Sequence, residues 1–230
     1  MPVLMYHSVA AGDAGALARW RVAPDAFEEQ LRLLRRHGCY ALSVEALGWY
    51  HARGEAVPGR PVVITFDDGF RDLVETAWPI LYRNAMIADV FVVTDRVGAQ
   101  SDWDRRLGEP QLLLDWSGLA TLHAQGLGVH SHLASHRHVD SLTTRELLNE
   151  AVASRETIAR RLSGEVRALA PPYGGSDERA VRLFDAAGYH LGFTTENGMA
   201  SLDDHSLRLP RIEIHGDMTI AQFAEAVGLA

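Results

Sequence analysis

A single cysteine, Cys39, stands among 230 residues, so an internal disulfide is excluded and the fold must be held by packing, with or without a metal. Basic charge is also short: 22 Lys+Arg face 30 Asp+Glu, a formal charge of −8. A surface that tracks phosphates needs the opposite excess, which argues against nucleic acid as a partner. No apolar run reaches the roughly 18–20 residues of a membrane span. The opening Met1-Pro2-Val3-Leu4-Met5-Tyr6-His7 has neither the positive leader nor the apolar stretch of a signal peptide. As it stands the chain is expected to be cytoplasmic, with export open if a leader has been trimmed away. Internal repeats, low-complexity tracts and Pro/Gly/Ser linkers are missing too, which makes one domain over residues 1–230 the simplest organisation.

What is present is enough apolar material, 47% of the residues, for a sizeable core. Short apolar runs alternate with longer amphipathic stretches, the pattern of βα units. Strands are predicted at 3–6, 61–66, 87–93, 126–129, 166–170, 190–194 and 211–215, with a weaker one at 39–42. Helices are predicted at 24–37, 70–84, 112–125, 143–162, 177–187 and 219–228, and residues 95–111 read as a long polar loop. Seven or eight such units in one domain predict an α/β fold, a (β/α) barrel of about seven parallel strands, with an open doubly wound sheet as the alternative.

In a barrel the reacting groups sit where the strands end. His7 follows the first predicted strand, and Asp67-Asp68-Gly69 follow the second. His130-Ser131-His132 follow the fourth, with His136 four residues on. Pro171-Pro172-Tyr173-Gly174-Gly175 follow the fifth, and the last strand ends at His215. Successive residues leaving a strand point in different directions, so one carboxylate of the Asp pair could ligate while the other faces substrate. The tripeptide alone is equally an ordinary turn with a helix cap. His132 and His136 share a side if their segment is a helical turn. His130 competes as a ligand, because i and i+2 share a face in a strand. Two His and one carboxylate form a common zinc set with a position left open. The stiff Pro/Gly run should form a shaped wall whose backbone N–H groups could face an oxyanion.

Together these residues resemble the polysaccharide deacetylases of carbohydrate esterase family four, the NodB-homology domain. Thr65-Phe66-Asp67-Asp68-Gly69 matches the first motif of that family. Ser131-His132-Leu133-Ala134-Ser135-His136 is similar to the second, and Ala170-Pro171-Pro172-Tyr173-Gly174 to the third. The resemblance implies a distorted (β/α) barrel and a divalent metal, commonly zinc, held by Asp68, His132 and His136, with Asp67 as catalytic base. The opening Leu4-Met5-Tyr6-His7-Ser8 resembles the branch that acts on poly-N-acetylglucosamine-type exopolysaccharides, which makes His7 the candidate acid. Two positions depart from the pattern. Leu133 stands where the second motif has Ser or Thr, and Ala170 where the third has the arginine that orients the base. Arg211 could replace that arginine, although it is expected at the start of a strand, the end away from the rim. His215, in Ile212-Glu213-Ile214-His215, rivals His7 as the acid.

The expected reaction is hydrolysis of N-acetyl groups on an acetylated amino-sugar polymer or oligomer. Asp67 would take a proton from water, the Tyr173 N–H would help hold the oxyanion, and an imidazolium would protonate the leaving amine. Trp103, Trp116 and Tyr173 are candidate surfaces for stacking on sugar. The competing readings are a metal-dependent O-acetyl esterase and a barrel that binds glycan without turning it over.

Overall fold

The computed structural model of the chain describes residues 1–12, 15–103, 105, 106 and 108–229. Residues 104 and 107 of the expected polar loop lie outside them. In chain order the strands are β1 (Val3–Tyr6), β2 (Ser8–Val9), β3 (Arg21–Val22), β4 (Tyr40–Ala41), β5 (Pro61–Phe66), β6 (Asp89–Val92), β7 (Gly128–Ser131), β8 (Ala168–Leu169), β9 (Leu191–Asn197) and β10 (Leu209–Glu213). The α-helices are α1 (Pro24–Arg36), α2 (Val44–Arg53), α3 (Trp78–Arg83), α4 (Trp116–Ala124), α5 (Thr144–Leu162), α6 (Glu178–Ala186) and α7 (Ile220–Ala226).

Seven of the strands close into a parallel barrel in the order β1-β10-β9-β8-β7-β6-β5, with β5 pairing back onto β1. That closure excludes the open doubly wound sheet. The weak 39–42 segment does form a short strand, β4, but it flanks β5 outside the ring, pairing Tyr40 with Pro61. The register places the N-terminal strand between β5 and β10: Tyr6 lies opposite Phe66 and Met5 opposite Glu213. His7 and Asp67, each one residue further on, therefore leave the barrel side by side, and the Asp67 N–H donates to the Tyr6 carbonyl at 2.9 Å.

Strand parity decides which residues can reach the barrel axis. Leu4, Tyr6, Ile64, Phe66, Val90, Val92 and Ile212 face outward into the large core shared with the helices, where Tyr6 and Phe66 pack on Phe27 of α1. Val3, Val63, Phe91, Ala168, Leu191, Phe193 and Leu209 form a smaller second cluster inside the ring. Continued to the strand ends, the inward set reads His7 from β1, Thr65 and Asp67 from β5, His130 and His132 from β7, and Arg211 and Glu213 from β10. The polar residues of the site are thus the upper turns of an interior that is apolar below.

Two local readings change. The predicted 70–84 helix is a π-helical turn, Leu73–Ala77, followed by α3. Pro79 has no N–H to give to the carbonyl four residues back, and the wider turn accommodates that loss. Helix α2, unassigned in the sequence, starts at Ser43, whose side chain accepts from the Ala46 N–H, and stops at Gly54 in the left-handed region, φ 64°.

Candidate metal centre and active site

Asp68, His132 and His136 converge, with one ligand atom of each lying within 4.8 Å of the others; among the described residues this is the one such cluster. Asp68 Oδ1 is 3.1 Å from His136 Nε2 and 3.4 Å from His132 Nε2, and all three side chains are buried. The donor chemistry fits a divalent cation. His132 Nδ1 is 2.6 Å from the Ala170 carbonyl oxygen, so that nitrogen carries the proton and Nε2 is left with its lone pair facing Asp68. Burial alone would push the Asp68 carboxyl up; hydrogen bonds and positive charge from His132 and His136, when their Nε2 atoms carry protons in place of a cation, hold it far below the ordinary carboxylate range.

The histidines do not meet on a helical turn. Residues 132–137 are irregular, and Leu133 and His136 sit in the left-handed region at φ 58° and 62°. Asp68 at φ 70° and Tyr173 at φ 59° do the same, so among the described residues four of the six non-glycine residues with positive φ surround this centre. Each such residue costs about 1–3 kcal/mol, and the surrounding contacts must hold it in place. For the histidine loop they are visible. The hydroxyl missing at Leu133 is replaced from both sides: Ser131 Oγ accepts the Leu133 N–H at 3.1 Å, while Glu150 of α5 accepts the N–H groups of Ala134 and Ser135 at 2.9 and 2.8 Å and also the Ser135 hydroxyl. Leu133 itself is fully buried in the outer core. Glu150 gave no sequence signal, since it is one of several acidic residues on an amphipathic helix.

His130 is not a ligand in this cluster. It is one pleat deeper in the barrel, its Nε2 2.9 Å from Asp89 Oδ1.

Asp67 lies beside the metal cluster and is gripped by Arg211, whose Nη1 and Nη2 donate to Oδ1 and Oδ2, both at 2.7 Å. Arg211 also donates from Nε to the Thr194 carbonyl at 3.0 Å and from Nη1 to Thr65 Oγ1 at 3.2 Å. The expectation that Arg211 starts its strand, away from the rim, is corrected. β10 begins two residues earlier, at Leu209, and inward parity carries the guanidinium to Asp67. The β9–β10 register shifts between Leu209 and Arg211, from Phe193 as partner to Asn197, and the Thr194 carbonyl that receives Arg211 lies within that irregularity. Burial would raise the Asp67 carboxyl, but the Arg211 charge and hydrogen bonds, helped by His132 and His7, keep it below its usual range.

A cleft of about 390 Å³ opens over these groups, within the size range of small-ligand sites. His7, Asp67, Asp68, His132, His136 and Tyr173 line it, together with Trp20 and Glu213, which the sequence reading did not single out. His7 Nδ1 is buried without a hydrogen-bond partner. His215 is not among the described lining residues; its Nε2 lies 2.8 Å from Glu213 Oε2 and 3.0 Å from Arg19 Nη2. Of the three aromatic candidates, Trp103 stacks on the His136 ring at 4.1 Å and Tyr173 meets it edge-on at 5.0 Å, with its own face on His138 at 3.6 Å. Trp116 lies elsewhere, under the Arg161 guanidinium at 5.6 Å.

Residues 54–192, more than half of the chain, match the polysaccharide deacetylase family. YxkH of Bacillus subtilis, provisionally named a polysaccharide deacetylase, is 26% identical over 223 residues, covering 97% of this chain and 74% of its own. The poly-β-1,6-N-acetyl-D-glucosamine N-deacetylase of Staphylococcus aureus is 23% identical over 205 residues, 87% of this chain and 70% of that one. The deacetylase PplD of Streptococcus pyogenes, solved with acetate, superposes with a TM-score of 0.86 at 24% identity, over 99% of this chain and 97% of its own. The chain belongs to the polysaccharide deacetylase family, hydrolases that act on the amide bonds of acetylated sugars and generally depend on a metal.

Proposed function

We propose that the protein removes N-acetyl groups from an N-acetylglucosamine-containing polymer or oligomer, using zinc held by Asp68, His132 and His136. The observation that carries this reading is the pairing of a buried Asp-His-His cluster with a second aspartate, Asp67, that is locked by Arg211 and open to the same cleft. The name of the Staphylococcus aureus relative supports the polymer class. When bound, the ion supplies Lewis acidity toward water and the amide carbonyl.

The chain's own residues supply the rest. Asp67 is kept ionised by Arg211, and each of its oxygens retains a lone pair beyond the guanidinium fork, so it serves as the base that accepts a proton from water. Tyr173 brings its backbone to the cleft wall beside His136, and its N–H is assigned to the oxyanion, a type of donor worth about 3–4 kcal/mol. His7 stands next to Asp67 in the register and is the acid that protonates the leaving amine. His215 fits that role less well because its Nε2 is already engaged with Glu213.

The test is a matched pair of assays with zinc restored. Acetate released from N-acetylglucosamine oligomers supports the proposal. Release only from O-acetylated sugars would make the protein an esterase, and release from neither would make it a binding module. Asp67→Asn should abolish turnover while zinc stays bound, and His132→Ala should lose both.

A further inference from the structure

The cleft has an aromatic wall whose construction the reaction itself does not require. Trp20 ends a 3-10 helix, Gly15–Trp20, that arches out between β2 and β3. It is half-buried, lines the cleft, and its ring lies 6.4 Å from that of His7. The indole N–H donates to Glu213 Oε1 at 2.9 Å. Glu213 Oε2 is in turn held by Arg19 at 2.9 Å and by His215 at 2.8 Å. Burial would raise the Glu213 carboxyl, yet its bonds to Arg19, His215 and Trp20 bring it down to about 2, so it stays an ionised acceptor. The backbone beneath is fixed as well. The Gly216 N–H donates to the Arg19 carbonyl at 2.8 Å, and a Cβ at Gly216 would fall 2.2 Å from the Arg21 carbonyl oxygen and 2.3 Å from that of Ala18.

A tryptophan whose one polar atom is satisfied behind it presents an apolar face and nothing else. Four groups from two separate parts of the chain are used to hold that face beside His7, the proposed acid, where the sugar unit carrying the reacting nitrogen must lie. We infer that Trp20 is a specificity residue that stacks on a pyranose ring of the substrate, and that Glu213, braced by Arg19 and His215, is the positioning residue that orients it. The ligand class is a hexosamine unit, recognised through its C–H face. His215 thereby acquires a role other than proton donor. This inference rests on the carbohydrate reading of the cleft but not on turnover.

The experiment uses zinc-loaded protein and two readouts. Calorimetric binding of glucosamine oligomers, which carry no acetyl group to lose, reads stacking without chemistry. Kinetics on N-acetylglucosamine oligomers and on 4-nitrophenyl acetate, an ester without a sugar, read the reacting centre. Trp20→Ala should weaken oligomer binding about tenfold and raise KM for acetylated oligomers by a similar factor, with kcat and ester turnover within about twofold of wild type. Trp20→Phe should recover most of the loss, and Glu213→Ala should show the same KM effect in weaker form. Unchanged oligomer binding in Trp20→Ala overturns the inference, as does a parallel fall in ester turnover, which would mean general damage to the site. Trp20-dependent binding with no acetate release would leave the inference standing and remove the deacetylase reading; acetate release insensitive to Trp20 would do the reverse.

Discussion

Replacing Arg211 by Met should cost about 4 kcal/mol of folding stability. The guanidinium side chain is fully buried and that of Asp67 is 3% exposed, so neither charge has water to fall back on. Breaking a buried pair from one side typically costs about 3–5 kcal/mol, because the remaining ion is left uncompensated. The Thr194 carbonyl also loses its donor, an additional penalty of about 1–3 kcal/mol if nothing replaces it, while the apolar Met stem recovers some packing against Phe91 and Phe193, which flank the guanidinium at 5.6 and 6.0 Å. In a chain of this length about 4 kcal/mol corresponds to a fall in Tm of roughly 8–16 °C. The double variant Arg211→Met/Asp67→Asn removes both charges and should be more stable than Arg211→Met alone by about 1–2 kcal/mol. Urea unfolding of the four proteins of this cycle, in chelator so that metal binding does not shift the curves, measures both quantities. A single variant within about 1 kcal/mol of wild type, or a double variant that loses the sum of the two singles, would refute the view that this pair is a coupled buried unit. Arg211→Lys keeps the charge but not the fork; it should regain part of the stability and little of the acetate release.

Glu150→Ala should weaken zinc binding at least about tenfold in a calorimetric titration, because the loop carrying His132 and His136 loses the acceptor of two backbone N–H groups. His7→Ala should reduce acetate release from an N-acetylglucosamine oligomer more than His215→Ala does; the reverse order of rates would move the acid to the C-terminal end of the chain. Tyr6 and Tyr189, bonded to Gln30 and to the Ala151 carbonyl, are both pushed well above the ordinary phenol range by burial. A raised folded-state pKa contributes stability below about pH 10, where the unfolded phenol titrates, and that contribution is lost as the pH rises further. Of the six tyrosines, absorbance at 295 nm should therefore show these two ionising only as the protein unfolds in alkali.

The sequence made the motif-bearing half of the site legible, and strand parity explains why. His7 and Asp67 each lie one residue beyond an apolar run whose limits the hydrophobic pattern marks well, since β1 and β5 fall on the predicted residues; β7 runs two residues past the predicted end at Val129, to Ser131, and His132 follows it. The height of Arg211 is not legible in the sequence because β10 opens with Leu209-Pro210, and a proline discourages reading a strand through it. A spacing of four brings His132 and His136 together if their segment is a helical turn, whereas here two left-handed residues reach the same result in irregular backbone. That conformation depends on Ser131, whose place in the second motif does not by itself reveal its bond to the Leu133 N–H, and on Glu150, which lies on a helix outside every motif.

The cleft wall was illegible for a related reason. Trp20 leaves no periodic trace in a 3-10 segment of six residues, and its role depends on Glu213 meeting it across 193 positions of chain. Local patterning can mark what a strand delivers to a barrel rim. It does not mark what another part of the chain lays across that rim. In this protein the proposed base Asp67 and the proposed ligands Asp68 and His132, at or just past strand ends, belong to the first kind and the residues proposed to select the sugar belong to the second, so variation in substrate could accumulate around residues 15–21 and 213–216 while the Asp-Asp-Gly and His-x-x-x-His segments stay as they are.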